Sequence, residues 1–263
     1  MTATILVTGG TGTLGRHVVR RLSEAHRDVR VLSRGNLPYE EAEGVQYVTG
    51  DLSTGEGIAE ALDGIETVVH LAGSSKGDDL KTQHLVEAAA PAPVRHLVYI
   101  SVVGADRIPV ESGLDRAMFG YFEAKLASER IVADSGIPFT ILRATQFHEL
   151  FQTTARQMAK MPVIPAPSGF RLQTIGADEV AARLVELALG EPAGRVPDLA
   201  GPDVFSFKDM LHSYLESTDR HRLIVPLRMP GKAARAFREG ANLAPDRAVG
   251  QETWQEFLAT HAA

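Results

Sequence analysis

The sequence predicts an α/β fold built on a parallel, doubly wound sheet, and three observations carry that prediction. Short runs rich in Val, Ile and Leu alternate with stretches of helical periodicity through the first half of the 263 residues. The runs are almost continuously apolar, as strands covered on both faces require. Parallel strands joined through helices need right-handed crossovers, which place helices against the sheet. A hydrophobic content of 44% over this length is enough for one large domain or two small ones.

In chain order, strands are expected at Thr4 to Thr8, Val29 to Ser33, Val45 to Thr49, Thr67 to Leu71, His96 to Ser101 and Phe139 to Arg143. Helices are expected near Gly15 to Ala25, Gly57 to Leu62, Leu80 to Ala90 and Gly120 to Asp134. After Arg143 the rhythm changes. The stretch Met161 to Gly169 is too rich in proline for a central strand and suits an edge or a surface segment. Asp178 reads as the N-cap of a helix through Val180, Leu184 and Leu187. Ser206-Phe207-Lys208-Asp209 opens another helix with an approximate capping box, Leu223 to Pro226 forms a short strand, and Trp254, Phe257 and Leu258 mark an amphipathic C-terminal helix. The expected whole is a Rossmann-type doubly wound sheet over residues 1–145. Residues 146–263 form a smaller C-terminal substrate lobe over the carboxyl ends of the strands, able to return one strand or helix to the core.

Gly9, Gly10, Gly12 and Gly15 follow the apolar run Ile5-Leu6-Val7, and after them Leu14, Val18 and Leu22 recur every four residues on one face. Strand, glycine turn and helix in that order is the context of a dinucleotide-binding loop. The chain must turn sharply and the first helical amides must come close to a pyrophosphate, so Cβ atoms are excluded at several positions. Gly9, Thr11, Gly12, Thr13, Leu14 and Gly15 are the expected cradle. A nucleoside triphosphate loop shares the spacing of Gly10 and Gly15 but needs Lys and Ser or Thr where Arg16-His17 stand.

Composition excludes several classes. With no cysteine there is no disulfide, thiol catalysis or thiolate metal site, and no metal is expected. A net charge of −6 and the lack of a nucleic-acid module oppose a nucleic-acid partner. No apolar run approaches the ~18 residues of a membrane span, and no basic leader precedes the first strand. The expectation is a soluble, cytoplasmic monomer or homodimer whose partner is a small-molecule substrate, not a membrane.

The second strand ends Leu32-Ser33-Arg34, where an acidic residue would bind the ribose 2′-hydroxyl of NAD and a basic one accommodates the 2′-phosphate of NADP. Arg34 can form a forked pair with a phosphate, with Ser33 and Asn36 as nearby donors. Asp51 and Leu52 follow the third strand, where they can meet the adenine amino group and ring. Leu71, Ala72 and Gly73 follow the fourth, where small residues admit the diphosphate and ribose.

Thr8-Gly9-x-x-Gly12-x-x-Gly15, Asp51-Leu52, Leu71-Ala72-Gly73 and Tyr121-x-x-x-Lys125 together resemble the atypical, extended branch of the short-chain dehydrogenase/reductases. Within it the chain is most similar to the NmrA-like NAD(P)-binding group, whose pattern Ile100 to Ala105, Leu142 to Phe147 and Ile175 to Ala181 also match. The resemblance covers nearly the whole length. It implies that Tyr121 exchanges a proton with the substrate oxygen while hydride moves at nicotinamide C4. Lys125, on the same helical face, would bind the nicotinamide ribose and favour the phenolate. Enzymes of the superfamily usually place a serine or threonine beside the tyrosine. Here Val102-Val103 follow Ser101, and a one-residue offset reverses the face of a strand. Ser101 is the candidate partner, with a backbone amide, Thr145 or Gln146 as alternatives.

Residues 105–119, with Pro109, Gly113 and an apolar tip at Met118-Phe119, are expected as a loop that forms a substrate flap. With Thr145, Gln146, Phe147, Phe151 and Met158 they suggest an apolar pocket for a flat carbonyl compound or quinone. His148 and Glu149 lack a metal-ligand spacing and read as loop surface. The leading expectation is an NADP-dependent reductase, with NADPH preferred to NAD. The alternatives are a non-catalytic NAD(P)-binding sensor or regulator and a nucleotide-sugar epimerase.

Overall fold

The computed structural model describes residues 4–35, 44–74 and 77–261. In chain order it contains β1 (Thr4–Thr8), α1 (Thr13–Glu24), β2 (Val29–Ser33), β3 (Val45–Thr49), α2 (Ile58–Ala61), β4 (Ile65–His70) and α3 (Asp78–Ala89). These are followed by β5 (His96–Val102), α4 (Gly113–Asp134), β6 (Phe139–Ala144), α5 (His148–Met158), β7 (Val163–Pro167), β8 (Arg171–Leu172) and α6 (Ala177–Leu189). The remainder comprises β9 (Gly194–Arg195), β10 (Phe205–Ser206), α7 (Phe207–Ser217), β11 (Leu223–Leu227), α8 (Lys232–Arg238), a 3-10 turn at Pro245–Arg247 and α9 (Trp254–His261).

Two compact units, interleaved along the chain, account for these elements: residues 1–101, 124–142 and 178–196 form one, and residues 102–123, 143–177 and 197–263 the other. Among the described residues a seven-stranded sheet runs in the order β3-β2-β1-β4-β5-β6-β9. Its recorded strand pairs are parallel. The fold is therefore the Rossmann-like α/β sheet that the alternation of apolar runs and helices predicts. Leu6, Val68, Leu97 and Ile141 of the sheet pack with Leu85 of α3 and Val132 of α4 in one buried cluster. Each such side chain contributes about 1.5–3 kcal/mol when fully buried. The final strand, β9, is too short to carry a periodic signal; its register against Thr140 and Ile141 is set by pairing alone.

The second unit holds two small sheets, β7 with β11 in parallel and β8 with β10 antiparallel. The proline-rich stretch is an edge strand of a two-stranded sheet, the kind of place the sequence suits it to, where missing amides are tolerated. Aromatic packing supplies much of this unit's core. Phe151 meets Phe207 and Trp254 edge-on, and Phe170 stacks on Phe237 at 4.7 Å between ring centroids. Among the described residues no helix is long and apolar enough to cross a membrane.

Three local expectations are corrected. The flap ends earlier than the sequence suggests, because Gly113 to Phe119 belong to α4. Ser112 Oγ accepts from the Asp115 amide at 3.0 Å and the Asp115 carboxylate accepts from the Ser112 amide at 3.2 Å, so Ser112-x-x-Asp115 is a capping box that starts the helix seven residues before Gly120. Asp178 is not an N-cap. It lies inside the first turn of α6, where its carboxylate meets Arg20, Arg21 and His17 of α1. His148 is not loop surface either: it is wholly buried at the start of α5, with Nδ1 2.8 Å from Thr174 Oγ1 and Nε2 3.1 Å from the Glu252 carbonyl.

Candidate dinucleotide site

Parallel register brings the carboxyl ends of four strands into line. Thr8 pairs with Leu32 on one side and His70 on the other, and Ser33 pairs with Thr49. The residues that follow share one rim as a consequence. A cavity of about 630 Å³ opens there, lined by Gly9, Thr11, Gly12, Ser33, Arg34, Asp51, Leu52, Leu71, Ala72 and Gly73. It sits where the strand order reverses, with β2 on one side of β1 and β4 on the other, the switch point at which open α/β sheets bind ligands.

The glycines divide by task. Gly9 has φ +72°, and a Cβ there would lie 2.7 Å from the Ala72 nitrogen. A Cβ on Gly10 would lie 2.7 Å from Val31 Cγ1, and one on Gly15 would collide with the Gly9 carbonyl oxygen. These three glycines let the turn and α1 pack onto the sheet. Gly12 differs: it is exposed and extended, at φ −77° and ψ 177°, and among the described residues beyond its chain neighbours only the Gly9 oxygen, at 3.3 Å, comes within 4 Å of its Cβ position. Gly12 lines the cavity, and apart from that oxygen no described atom beyond its neighbours crowds it there. As the N-cap of α1 it receives no side-chain capping bond, so the positive end of the helix faces an anion's place.

At the β2–β3 side, Arg34 is exposed on the cavity wall. Asp51 Oδ1 accepts from the Ser53 amide at 2.8 Å. That backbone bond, aided by the charges of Arg34 and Lys81, holds the Asp51 carboxyl below the usual carboxylate range. Asn36 lies outside the described residues. The open place at Gly12, the uncapped helix end and cations on the wall fit an elongated anionic dinucleotide.

Four expected cofactor residues do not line the cavity. Thr13 is exposed in the first turn of α1, Leu14 and Gly15 are buried on the packing face of that helix, and Lys125 is buried within α4. The Lys125 ammonium donates to the Ile100 carbonyl at 3.3 Å, lies 3.4 Å from Asp78 Oδ2, and stands 5.0 Å from the centroid of the Tyr99 ring. Conversely, Lys81, Ser74 and Leu80 line the cavity and are not among the residues the sequence predicts there. Lys81 donates to Ser74 Oγ at 2.5 Å and lies 3.7 Å from Asp78 Oδ1. The available signal was Asp78-x-x-Lys81 directly after Gly77, a helix start with its cation one turn on.

Behind the rim, His70 is fully buried between two threonines, with Nδ1 2.7 Å from Thr8 Oγ1 and Nε2 3.1 Å from Thr82 Oγ1. Thr82 gives its own proton to the Asp78 carbonyl, so it accepts from Nε2–H, and Nδ1 accepts from Thr8. Burial, reinforced by the charges of Lys125 and Lys81, pushes the imidazole down to about 3. A neutral ring therefore ties the ends of β1 and β4 to Thr82 of α3.

The remaining candidates are dispersed. Tyr121 is 37% exposed one turn before Lys125, with its ring edge-on to Phe122. Ser101 is buried in β5, and its hydroxyl makes no hydrogen bond among the described residues. Thr145 is buried and accepts from the Gly201 amide at 3.3 Å. Gln146 is half-buried with both amide atoms unpartnered among the described residues, and Phe147 bridges to Ile175. Met118 is exposed on α4, whereas Phe119 is buried between Phe170 and Phe237.

Comparison with known proteins bears on the fold and on the family. The chain is 29% identical over 208 residues to a (4-alkanoyl-5-oxo-2,5-dihydrofuran-3-yl)methyl phosphate reductase of Streptomyces griseus, covering 78% of this chain and 70% of that one. It is 24% identical over 213 residues to quinone oxidoreductase 2 of Escherichia coli, covering 78% and 71%. The crystal structure of the NADPH-dependent quinone oxidoreductase of Escherichia coli complexed with NADPH superposes with a TM-score of 0.80 at 19% identity, covering 97% of this chain and 99% of that one. A family model described as NAD(P)H-binding matches residues 9–190, from the glycine turn to the end of α6. The chain belongs to the NAD(P)H-binding family.

Proposed function

We propose that this protein is an NADPH-dependent reductase of a small apolar carbonyl compound or quinone. The observation that carries the cofactor half is the exposed Arg34 on the cavity wall at the end of β2, where NAD would call for a carboxylate. The reductase half draws support from the two curated relatives, both oxidoreductases by name. When bound, the nicotinamide supplies a hydride. The open face at Gly12 admits the diphosphate, Arg34 forks onto the 2′-phosphate, Leu52 and the ionised Asp51 receive the adenine, and Lys125 holds a ribose hydroxyl. Tyr121 passes a proton to the substrate oxygen of a carbonyl compound.

A second reading, a non-catalytic NADPH-binding regulator, is favoured by one observation: the Ser101 hydroxyl has no hydrogen-bond partner among the described residues, so no formed relay links it to a proton donor. Titration with NADPH and NADH, followed by NADPH oxidation against a panel of quinones and simple carbonyls, tests both readings. Preferential NADPH binding with turnover of at least one acceptor supports the reductase. Tight NADPH binding with no oxidation above background would replace it with the regulator.

A further inference from the structure

We infer that Asp78 is a ligand-binding residue, and that its Oδ2 with the Lys125 ammonium forms an acceptor–donor pair for a vicinal diol, the nicotinamide-side ribose of the dinucleotide. The inference deepens the reading above and rests on it. Asp78 is 1% exposed at the start of α3. One carboxylate oxygen is engaged: Oδ1 accepts from the Ser74 amide at 2.6 Å and lies near the Ser74 hydroxyl and Lys81. The other, Oδ2, accepts no hydrogen bond among the described residues and faces Lys125 at 3.4 Å. A buried carboxylate oxygen that accepts no hydrogen bond is costly and calls for an explanation, and a ligand hydroxyl that donates to it is one.

Gly73 shows where that ligand atom goes. It is exposed on the cavity wall, and an atom at its missing Cβ position would stand 3.2 Å from Asp78 Oδ2 and 3.4 Å from Lys125 Nζ. A hydroxyl near that place can donate to the carboxylate while it, or its neighbour on the same ring, accepts from the ammonium. Only a group that is both donor and acceptor satisfies the pair, and a vicinal diol is such a group. An alanine would occupy the place instead.

Sheet order selects the ribose. Arg34 and Asp51 follow β2 and β3, Gly12 follows β1 at the centre, and Gly73 follows β4, beside the β5 carbonyl of Ile100 that holds Lys125. A dinucleotide with its diphosphate at Gly12 and its adenosine half towards Arg34 extends its other ribose towards Gly73.

The test uses NADPH and adenosine 2′,5′-bisphosphate, which lacks the nicotinamide ribose, titrated against wild type, Asp78→Asn and Gly73→Ala, with thermal unfolding of each. Asp78→Asn and Gly73→Ala should each weaken NADPH tenfold or more and change the bisphosphate less than twofold. Gly73→Ala removes neither charge of the pair, so it carries the test if Asp78→Asn does not fold. Unchanged NADPH affinity in folded variants, or equal losses for both ligands, overturns the assignment. Wild type that binds neither ligand overturns the dinucleotide reading itself.

Discussion

The carbonyl oxygen of Gly9 leaves no room for a Cβ on Gly15, while Gly12, between them in sequence, lines the cavity and would hold a Cβ 3.3 Å from that same oxygen. Two glycines of one motif therefore serve different ends. Gly15→Ala should lower folding stability by about 1–3 kcal/mol or more, as overpacking does. Gly12→Val, at a backbone conformation that any residue adopts, should keep the fold and weaken NADPH more than tenfold. Urea unfolding and cofactor titration on the same samples separate the two effects; a folded Gly12→Val with full affinity would remove the diphosphate from this turn.

Arg34→Ala should weaken NADPH by about 1–3 kcal/mol, the range of a charge-assisted hydrogen bond, and leave NADH nearly unchanged. Parallel titrations of the two cofactors decide the matter. Equal losses would mean that Arg34 contacts a group common to both.

Tyr121→Phe removes one oxygen and keeps the ring. If Tyr121 is the proton donor, turnover of carbonyl substrates should fall by ~10²–10⁴-fold with NADPH affinity intact. Stopped-flow oxidation of NADPH by a carbonyl acceptor measures this directly. Unaltered turnover would assign the proton to another group.

Stability should fall as the pH drops from 6.5 to 5. His70 is held down to about 3 and His148 to about 4, both chiefly by burial, so the unfolded chain takes up protons that the folded chain refuses. The stability these neutral rings contribute is complete above the unfolded value near 6.5 and is lost progressively as the pH falls towards the folded values. On the order of 1–2 kcal/mol per histidine should disappear between pH 6.5 and 5. Urea unfolding at several pH values should show a shallower slope for His148→Gln than for wild type; identical slopes would mean that His148 does not refuse the proton.

The start of α4 shows how a long-range expectation can miss a local signal. Ser112-x-x-Asp115 is present in the sequence, but Pro109 and Gly113 suggest a loop, and the capping box decides the matter for the helix. His148 and Asp178 were beyond local reading. Partners 26 residues away at Thr174 and 157 away at Arg21 turn a surface histidine into a buried strut and a cap into an ion pair.

The sequence by itself determined the strand order along the chain, the glycine turn, the absence of thiol chemistry and the basic residue at the end of β2, because periodicity, steric exclusion at glycine and residue charge are properties of neighbours a few positions apart. Only the tertiary structure decided which polar atoms meet. Parallel register aligned the ends of β1 to β4 into one rim, and the packing of α3 and α4 brought Asp78 to Lys125 and left Gly73 open in front of them. Those contacts join residues 47 positions apart, and they follow from how buried faces pack in three dimensions rather than from the local sequence.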